Sequence, residues 1–121
     1  MKKIFFVVFS LLLYNSCLAD NLEEKLFQIQ TEMEQIHYTY PETRQSAAFQ
    51  PLMKKASALT SEYPSRAEPI ILHAAIILTN AATENAFAAL SSVKKARDLL
   101  MKAISIDPVA KQGSAYVTLG T

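Results

Sequence analysis

The sequence has 121 residues, and its twelve Lys and Arg nearly balance its eleven Asp and Glu, giving a formal net charge of +1. This balance supplies neither a basic surface for nucleic acid nor an acidic tail for a cationic partner, so we expect no nucleic-acid binding. The one cysteine, Cys17, lies in an N-terminal apolar segment. A chain without that segment has no thiol for catalysis, for a disulfide or for a Cys-ligated zinc site.

The first 19 residues have the pattern of an export signal. Two lysines precede an apolar run, and Cys17 and Ala19 place small residues at positions −3 and −1 of a cleavage site. We predict cleavage between Ala19 and Asp20, which leaves 102 residues with a net charge of −1 in the periplasm or outside the cell. A membrane-spanning helix is the weaker interpretation, because the apolar run is about half of the roughly 20 residues that a span needs.

Cys17 also allows a second interpretation of this segment. Bacterial lipoproteins carry a cysteine directly after a short motif of aliphatic and small residues. Of the three preceding positions only Ser16 fits that motif, whereas Tyr14 and Asn15 do not. Lipidation of Cys17 is therefore the alternative to cleavage after Ala19. It would make the protein a membrane-tethered lipoprotein, and we expect membrane contact only in that case.

Apolar residues at spacings of four and three predict the first helix, from Leu22 to Tyr38. The stripe consists of Leu22, Leu26, Ile29, Met33, Ile36 and Tyr40. Asn21 followed by Glu24 is an N-capping pattern. Pro41 ends the helix, because proline has no amide donor and disfavours helical angles in the residue before it.

A second apolar stripe predicts a helix from Ser46 to Glu62, closed off by Pro64. Pro51 lies within this segment and allows two interpretations. It either begins the helix or kinks a longer one that starts near Glu42.

The third helix is predicted from Arg66 to Ala81. Ser65 and Glu68 form a capping box, and Pro69 suits the first turn, where backbone amides have no partner inside the helix. The sequence of this helix is apolar on almost every side. We therefore expect it to be the buried centre of the domain.

A fourth helix is predicted to begin at Ser91 or Ser92 and to end by Asp107, which precedes a proline. The residues before it, 82–90, are interpreted as a connecting stretch. Two apolar side chains should pack that stretch onto the core: Phe87 and Leu90.

Helical segments joined by short links, with no alternating strand pattern, predict an all-α fold of antiparallel helix hairpins. We divide the chain into a signal peptide at 1–19, an N-terminal helix at 20–45 and helical hairpins at 46–121, the last of which is incomplete.

The fourth helix carries a specific spacing. Ala96, Leu100 and Ala103 follow one another at intervals of four and three, and Pro108 comes five residues later. This pattern resembles the second helix of a tetratricopeptide repeat. In such repeats small residues let two antiparallel helices approach closely, and proline ends the unit.

The resemblance extends to both neighbours of that helix. Tyr116, Leu119 and Gly120 are similar to the opening of the first helix of a further repeat. In the third helix Ala75 takes the position of the small residue at the helix crossing, but Ala96 lies 21 residues after it. The family spacing is about 12, so the hairpin link should be about nine residues longer than usual.

The last residue falls one turn into that further helix. Solenoids end in a polar capping helix, so we expect this chain to be a truncated form of a longer repeat protein. Its open C-terminal edge would then expose an apolar face and self-associate.

Few side chains indicate chemistry. Glu34 and His37 have the spacing of a di-iron helix motif, but the second such pair that those sites need is absent from the sequence. The sequence also has no glycine-flanked serine nucleophile and no glycine-rich phosphate loop. We therefore predict no enzyme activity, no cofactor and no metal site.

Arg66, His73 and Asn80 lie seven residues apart on one line of the third helix. In the repeat family the first helix of each hairpin lines a concave groove, so the resemblance implies that this line reads a bound peptide. A partly buried His73 that bonds a backbone carbonyl is the other interpretation.

The resemblance implies an exported helical-repeat scaffold that binds a protein or peptide. Two alternatives remain open. One is a periplasmic accessory protein that holds a small ligand between helices 1, 3 and 4, and the other is a truncated remnant without activity. A scaffold should show an open, polar-rimmed groove, whereas a ligand carrier should show an enclosed apolar cavity.

Overall fold

The computed structural model describes residues 2–114 and 118–119, with side chains for 21–111, 113–114 and 118–119. This part of the chain contains four α-helices and no strand, which confirms the all-α class. The helices are α1 (Lys2–Thr39), α2 (Glu42–Glu62), α3 (Glu68–Ala81) and α4 (Ala86–Ile106), followed by a 3₁₀ turn (Ala110–Gly113).

The first helix begins earlier than its apolar stripe predicts. α1 is continuous from Lys2, so Asn21 lies inside it and the predicted N-cap at Asn21 is wrong for the full chain. The physical reason is the lack of any helix breaker, since no proline or glycine precedes Pro41. The end of α1 at Thr39 lies within a residue of its predicted position.

Pro51 lies inside α2, which begins at Glu42 and continues to Glu62. The longer of the two predicted helices is therefore the one that forms. Proline at this position removes the amide that would bond the carbonyl of Ala47. Both residues are exposed, so water can satisfy that carbonyl.

The predicted capping box of α3 does not form. The helix begins at Glu68, and its N-cap residue Ala67 offers no side-chain hydrogen bond. The Glu68 carboxylate instead accepts hydrogen bonds from Nε and Nη2 of Arg66, at 3.2 and 3.1 Å. A charged guanidinium offers two donors, and it outcompetes the single backbone amide of the capping box.

The start of α4 differs most from the prediction. Asn85 caps the helix, and its Oδ1 accepts a hydrogen bond of 2.9 Å from the Ala88 amide. The link from α3 is therefore short, residues 82–85, and the expected long link is mostly helix. Phe87 and Leu90 do not pack onto the core, since they lie on the outer side of α4, 91% and 56% exposed. The helix ends at Ile106, as the proline two residues later predicts.

α3 is the centre of the fold and has two buried faces. Leu72 and Ile76 belong to the core that α3 shares with α1 and α2. Ile70, Ala74 and Ile77 belong to the core that it shares with α4. One apolar face of α3 is therefore buried against α1 and α2, and another is buried against α4.

Candidate binding groove

An open groove runs between α1 and α3, the first helices of the two hairpins. Near the C-terminal ends of both helices it forms a depression of about 370 Å³. That depression is lined by Met33, Glu34, His37, Tyr38, Thr79 and Ala82. Met33 also lines a second depression further along α1, and we name the two adjoining depressions the α1–α3 groove.

The second depression has a volume of about 230 Å³ and reaches the segment that follows α4. Its lining residues are Gln30, Met33, Ile71, Leu72, Ala75, Leu100, Lys111, Ser114 and Thr118. Four parts of the chain thus meet at this point, and α3 forms the floor between the other three.

The groove exists because α3 presents small side chains toward it. Ala75, Thr79 and Ala82 follow one another at spacings of four and three, which keeps them on one side of the helix. An alanine fills little of the space between two helices, whereas the longer Met33 reaches across from α1. The result is an apolar floor with polar residues at its edges.

The two ends of the groove carry opposite charges. Glu34 lies at one end, where the rings of His37 and Tyr38 pack edge to face with centroids 4.8 Å apart. Lys111 lies at the other end. A peptide bound in the groove would therefore meet a negative charge at one end and a positive charge at the other.

Ser114 is the most unusual polar group of the groove. Its Oγ is buried and has no hydrogen-bond partner among the residues that the structure describes, which is uncommon for a buried hydroxyl. The turn before it brings Ser114 into place through two positive φ angles, 50° at Lys111 and 75° at Gly113. Glycine suits this position because a side chain rarely adopts such an angle.

The line of α3 predicted to face the groove lies elsewhere. Arg66 is bound to Glu68, and that hydrogen bond lowers the pKa of the Glu68 carboxyl more than burial raises it. His73 is only 8% exposed and lies near Lys95 of α4. Residues 73 and 75 are about 200° apart around a helix, so His73 faces away from Ala75 and the groove.

Asn80, the third residue of that line, takes part in a network at the end of α3. Its Nδ2 donates to Glu84 Oε1 at 3.3 Å, and its Oδ1 accepts a hydrogen bond from Thr83. Ser92, predicted as a helix cap, instead donates to Glu84 at 2.8 Å. The side chain of Asn80 therefore stabilises the link between α3 and α4 through hydrogen bonds and does not line the α1–α3 groove.

The residues of the repeat spacing lie in the core. Ala96, Leu100 and Ala103 are buried against α3, each at most 2% exposed. Ala74, not Ala75, is the small residue of α3 in that contact, because Ala75 lines the groove.

The positions after α4 are partly described. Pro108 is exposed just beyond the helix end, and Leu119 packs against the core of α3 and α4. The predicted positions Tyr116 and Gly120 lie outside the described residues, and side chains are not described at Cys17, Ala19 or Asp20.

In the part of the chain that the structure describes, no three His, Cys, Asp or Glu side chains come close enough together to hold a metal ion. Among the same residues, no helix has the length and apolar character that crossing a membrane requires.

The groove residues escaped the sequence prediction for identifiable reasons. Ile71, Leu72 and Ala75 belong to a helix that is apolar on nearly every side, so no polar stripe marks its groove face. Lys111 and Ser114 join the groove only through the turn after α4. The spacing of Ala75 and Ala82 was the one available signal, since small residues at helical intervals leave room for an occupant.

No family model matches the chain, and no curated protein or solved structure matches it either. Its function must therefore be inferred from the side chains that its own fold brings together.

Proposed function

We propose that this is an exported helical-repeat protein, similar to tetratricopeptide-repeat scaffolds, and that it binds a peptide or protein segment in the α1–α3 groove. One observation carries the proposal: the groove lies between the first helices of two successive hairpins. That is the surface that repeat scaffolds of this type use for recognition. Export is inferred from the pattern of the first 19 residues.

The shape of the groove supports a chain-like ligand. Both depressions are open to solvent and adjoin at Met33, so an occupant can enter from the side and lie along α3. A small-ligand site would instead enclose most of its ligand. The apolar floor favours one or two apolar side chains of the peptide.

The ends of the groove favour a particular orientation of that peptide. A basic group is expected near Glu34 and an acidic group near Lys111, because opposite charges fix register and direction.

A second candidate is a small polar ligand held in the depression beside Ser114. The presence of Lys111 and Ser114 in the lining of this depression favours it. The volume of about 230 Å³ lies below the usual range of about 300–1,000 Å³ for drug-sized ligands. A peptide therefore remains the better-supported occupant.

The test is a selection from a displayed library of random peptides, followed by titration of the enriched peptides. Two matched variants report the site. Gln30→Trp fills the groove from α1, whereas Gln28→Trp places the same ring two residues away on the α1–α2 side. Both glutamines are exposed, so both variants should fold.

We expect Gln30→Trp to weaken peptide binding by about tenfold or more, which is about 1.4 kcal/mol, and Gln28→Trp to leave it within about twofold. Circular dichroism would verify that both variants fold like the parent. The proposal fails if no peptide is enriched, or if enriched peptides bind both variants equally. If Ser114→Ala abolished binding of the enriched peptides while Gln30→Trp did not weaken it, the result would favour the small-ligand site.

A further inference from the structure

α4 carries an outward stripe of exposed apolar side chains beside the depression that Val93 and Arg97 form with Leu78, Thr118 and Leu119. Leu90, Val93 and Met101 are 56%, 46% and 58% exposed. With Arg97 they follow spacings of three, four and four, which places them on one side of the helix. We name these four residues the α4 stripe. The α4 stripe lies next to the residues of α4 that pack against α3, so apolar surface continues from the core onto the exposed side of the helix.

α1 carries a second outward stripe on the other side of the molecule. Phe27 and Tyr38 are 72% and 80% exposed, which is unusual for two aromatic rings on one short helix segment. Phe27, Thr31, Glu34 and Tyr38 follow spacings of four, three and four and form the α1 stripe. Phe27 and Thr31 lie opposite the residues of α1 that pack in the core, whereas Glu34 and Tyr38 lie at the edge of the α1–α3 groove.

The two stripes have opposite charge. Glu23 and Glu24 flank Phe27, and Glu34 lies within the α1 stripe. The nearest lysine of that helix, Lys25, points toward α2 and donates to Glu62 at 3.0 Å. The α1 stripe is therefore acidic, with an aromatic ring at each end.

The α4 stripe is basic. Arg97 lies within it and Lys94 lies beside it, both exposed. The one acidic neighbour, Asp98, is 3.6 Å from the Arg97 guanidinium and offsets only part of this charge. Pairing of two α4 stripes would bring like charges together, and so would pairing of two α1 stripes, whereas α1 against α4 joins opposite charges.

We propose that a second copy of this chain docks head to tail, with the α1 stripe of one copy on the α4 stripe of the next. The proposal does not rest on peptide binding, although Glu34 and Tyr38 belong both to the α1 stripe and to the lining of the α1–α3 groove, so a docked copy would cover that end of the groove. The two joined surfaces are different, so the interface is heterologous, and each copy keeps one free end. The assembly should therefore grow into short chains as the protein concentration rises.

The test uses the protein expressed with its N-terminal segment, purified in the processed form that the cell yields, and examined by sedimentation velocity over a concentration series. Phe27→Glu blocks the α1 stripe and Met101→Glu blocks the α4 stripe. Val109→Glu is the matched control, because Val109 is 75% exposed and lies outside both stripes. Circular dichroism compares the fold of each variant with the parent, and Leu90→Glu replaces Met101→Glu if that variant does not fold.

We expect the parent and Val109→Glu to associate and each stripe variant alone to remain monomeric. An equimolar mixture of Phe27→Glu and Met101→Glu should form a one-to-one dimer, because each partner retains the end that the other lacks. A pair of identical surfaces would not give this result. A parent that stays monomeric, a single stripe variant that associates like the parent, or a mixture that stays monomeric would each overturn the proposal.

Discussion

The α1–α2 hairpin and the α3–α4 hairpin are held together by different side chains. Large residues of α2, such as Phe49 and Leu52, lie in the core that α2 shares with α1 and α3, and both are at most 2% exposed. Ion pairs then join the two helices on the outside, Lys25 with Glu62 at 3.0 Å and Lys55 with Glu32 at 3.3 Å. These exposed pairs add little stability by themselves.

The α3–α4 hairpin is built on alanine. Ala74 of α3 and Ala96 and Ala103 of α4 are at most 1% exposed and let the two helices approach closely. A contact of this kind leaves no room for a larger side chain. In the first hairpin, by contrast, truncating a large buried side chain would leave a cavity. The two hairpins should therefore respond in opposite ways to changes in side-chain volume.

The largest effect is expected from removing volume in the first hairpin. Phe49→Ala deletes a ring that is 0% exposed and leaves a cavity. We expect the free energy of unfolding to fall by about 3–5 kcal/mol. Urea denaturation measures the loss. Phe87→Ala is the control, because that ring is 91% exposed, and it should change stability by less than about 0.5 kcal/mol.

Adding volume should damage the second hairpin. Ala103→Leu inserts three carbons where α4 contacts α3, and we expect a loss of about 1–3 kcal/mol through overpacking. Ala58→Leu makes the same change at an exposed position of α2 and should stay within about 0.5 kcal/mol. Equal stability of the two variants in thermal denaturation would contradict the close α3–α4 contact.

The cap of α4 distinguishes the observed helix start from the predicted one. Asn85→Ala removes the acceptor of the Ala88 amide and should cost about 1 kcal/mol. Ser91→Ala should be nearly neutral, because Ser91 lies inside the helix and is exposed. If Ser91→Ala were the more destabilising of the two, the helix would begin where the sequence pattern predicts.

The smallest effect concerns pH and His73, which lies on the buried side of α3. Burial lowers the pKa of His73 below its ordinary 6.5, and the positive charge of Lys95 lowers it further. The unfolded chain therefore binds a proton at a higher pH than the folded protein does. Stability should be constant above about pH 7 and should decrease as the pH falls through 6.5 and below.

His73→Gln should flatten this slope between about pH 7 and pH 5. The Glu68 carboxyl does not contribute in this range, because Arg66 lowers its pKa from 4.5. Guanidinium denaturation at several pH values measures the slope. If the slope persisted in His73→Gln, the pH dependence of stability would come from another titratable group.

Local signals in the sequence predicted the helices and most of their ends. Pro41 and Pro108 stop helices through their missing amide, an effect that needs no tertiary context. The starts were harder to predict. Asn85 and the serines at 91 and 92 are all good caps, and the choice among them depends on whether α4 continues for another turn and a half toward α3.

The candidate site could be predicted only in part. The resemblance to repeat scaffolds implied that the third helix lines a groove, but the residues that it singled out, such as His73, lie on a different side of that helix from the α1–α3 groove. Because Ile71, Leu72, Ile76 and Ile77 are equally apolar, sequence periodicity cannot say which of them faces α1, α4 or solvent.

The sequence by itself determined an all-helical chain with an unusually apolar third helix, since both properties follow from spacing and local propensity. The tertiary structure decided how the faces of that helix are used. Packing of α1 and α2 on one face and α4 on another leaves Ala75 in an open groove and buries His73. That division depends on contacts between residues far apart in the chain, which no local pattern encodes.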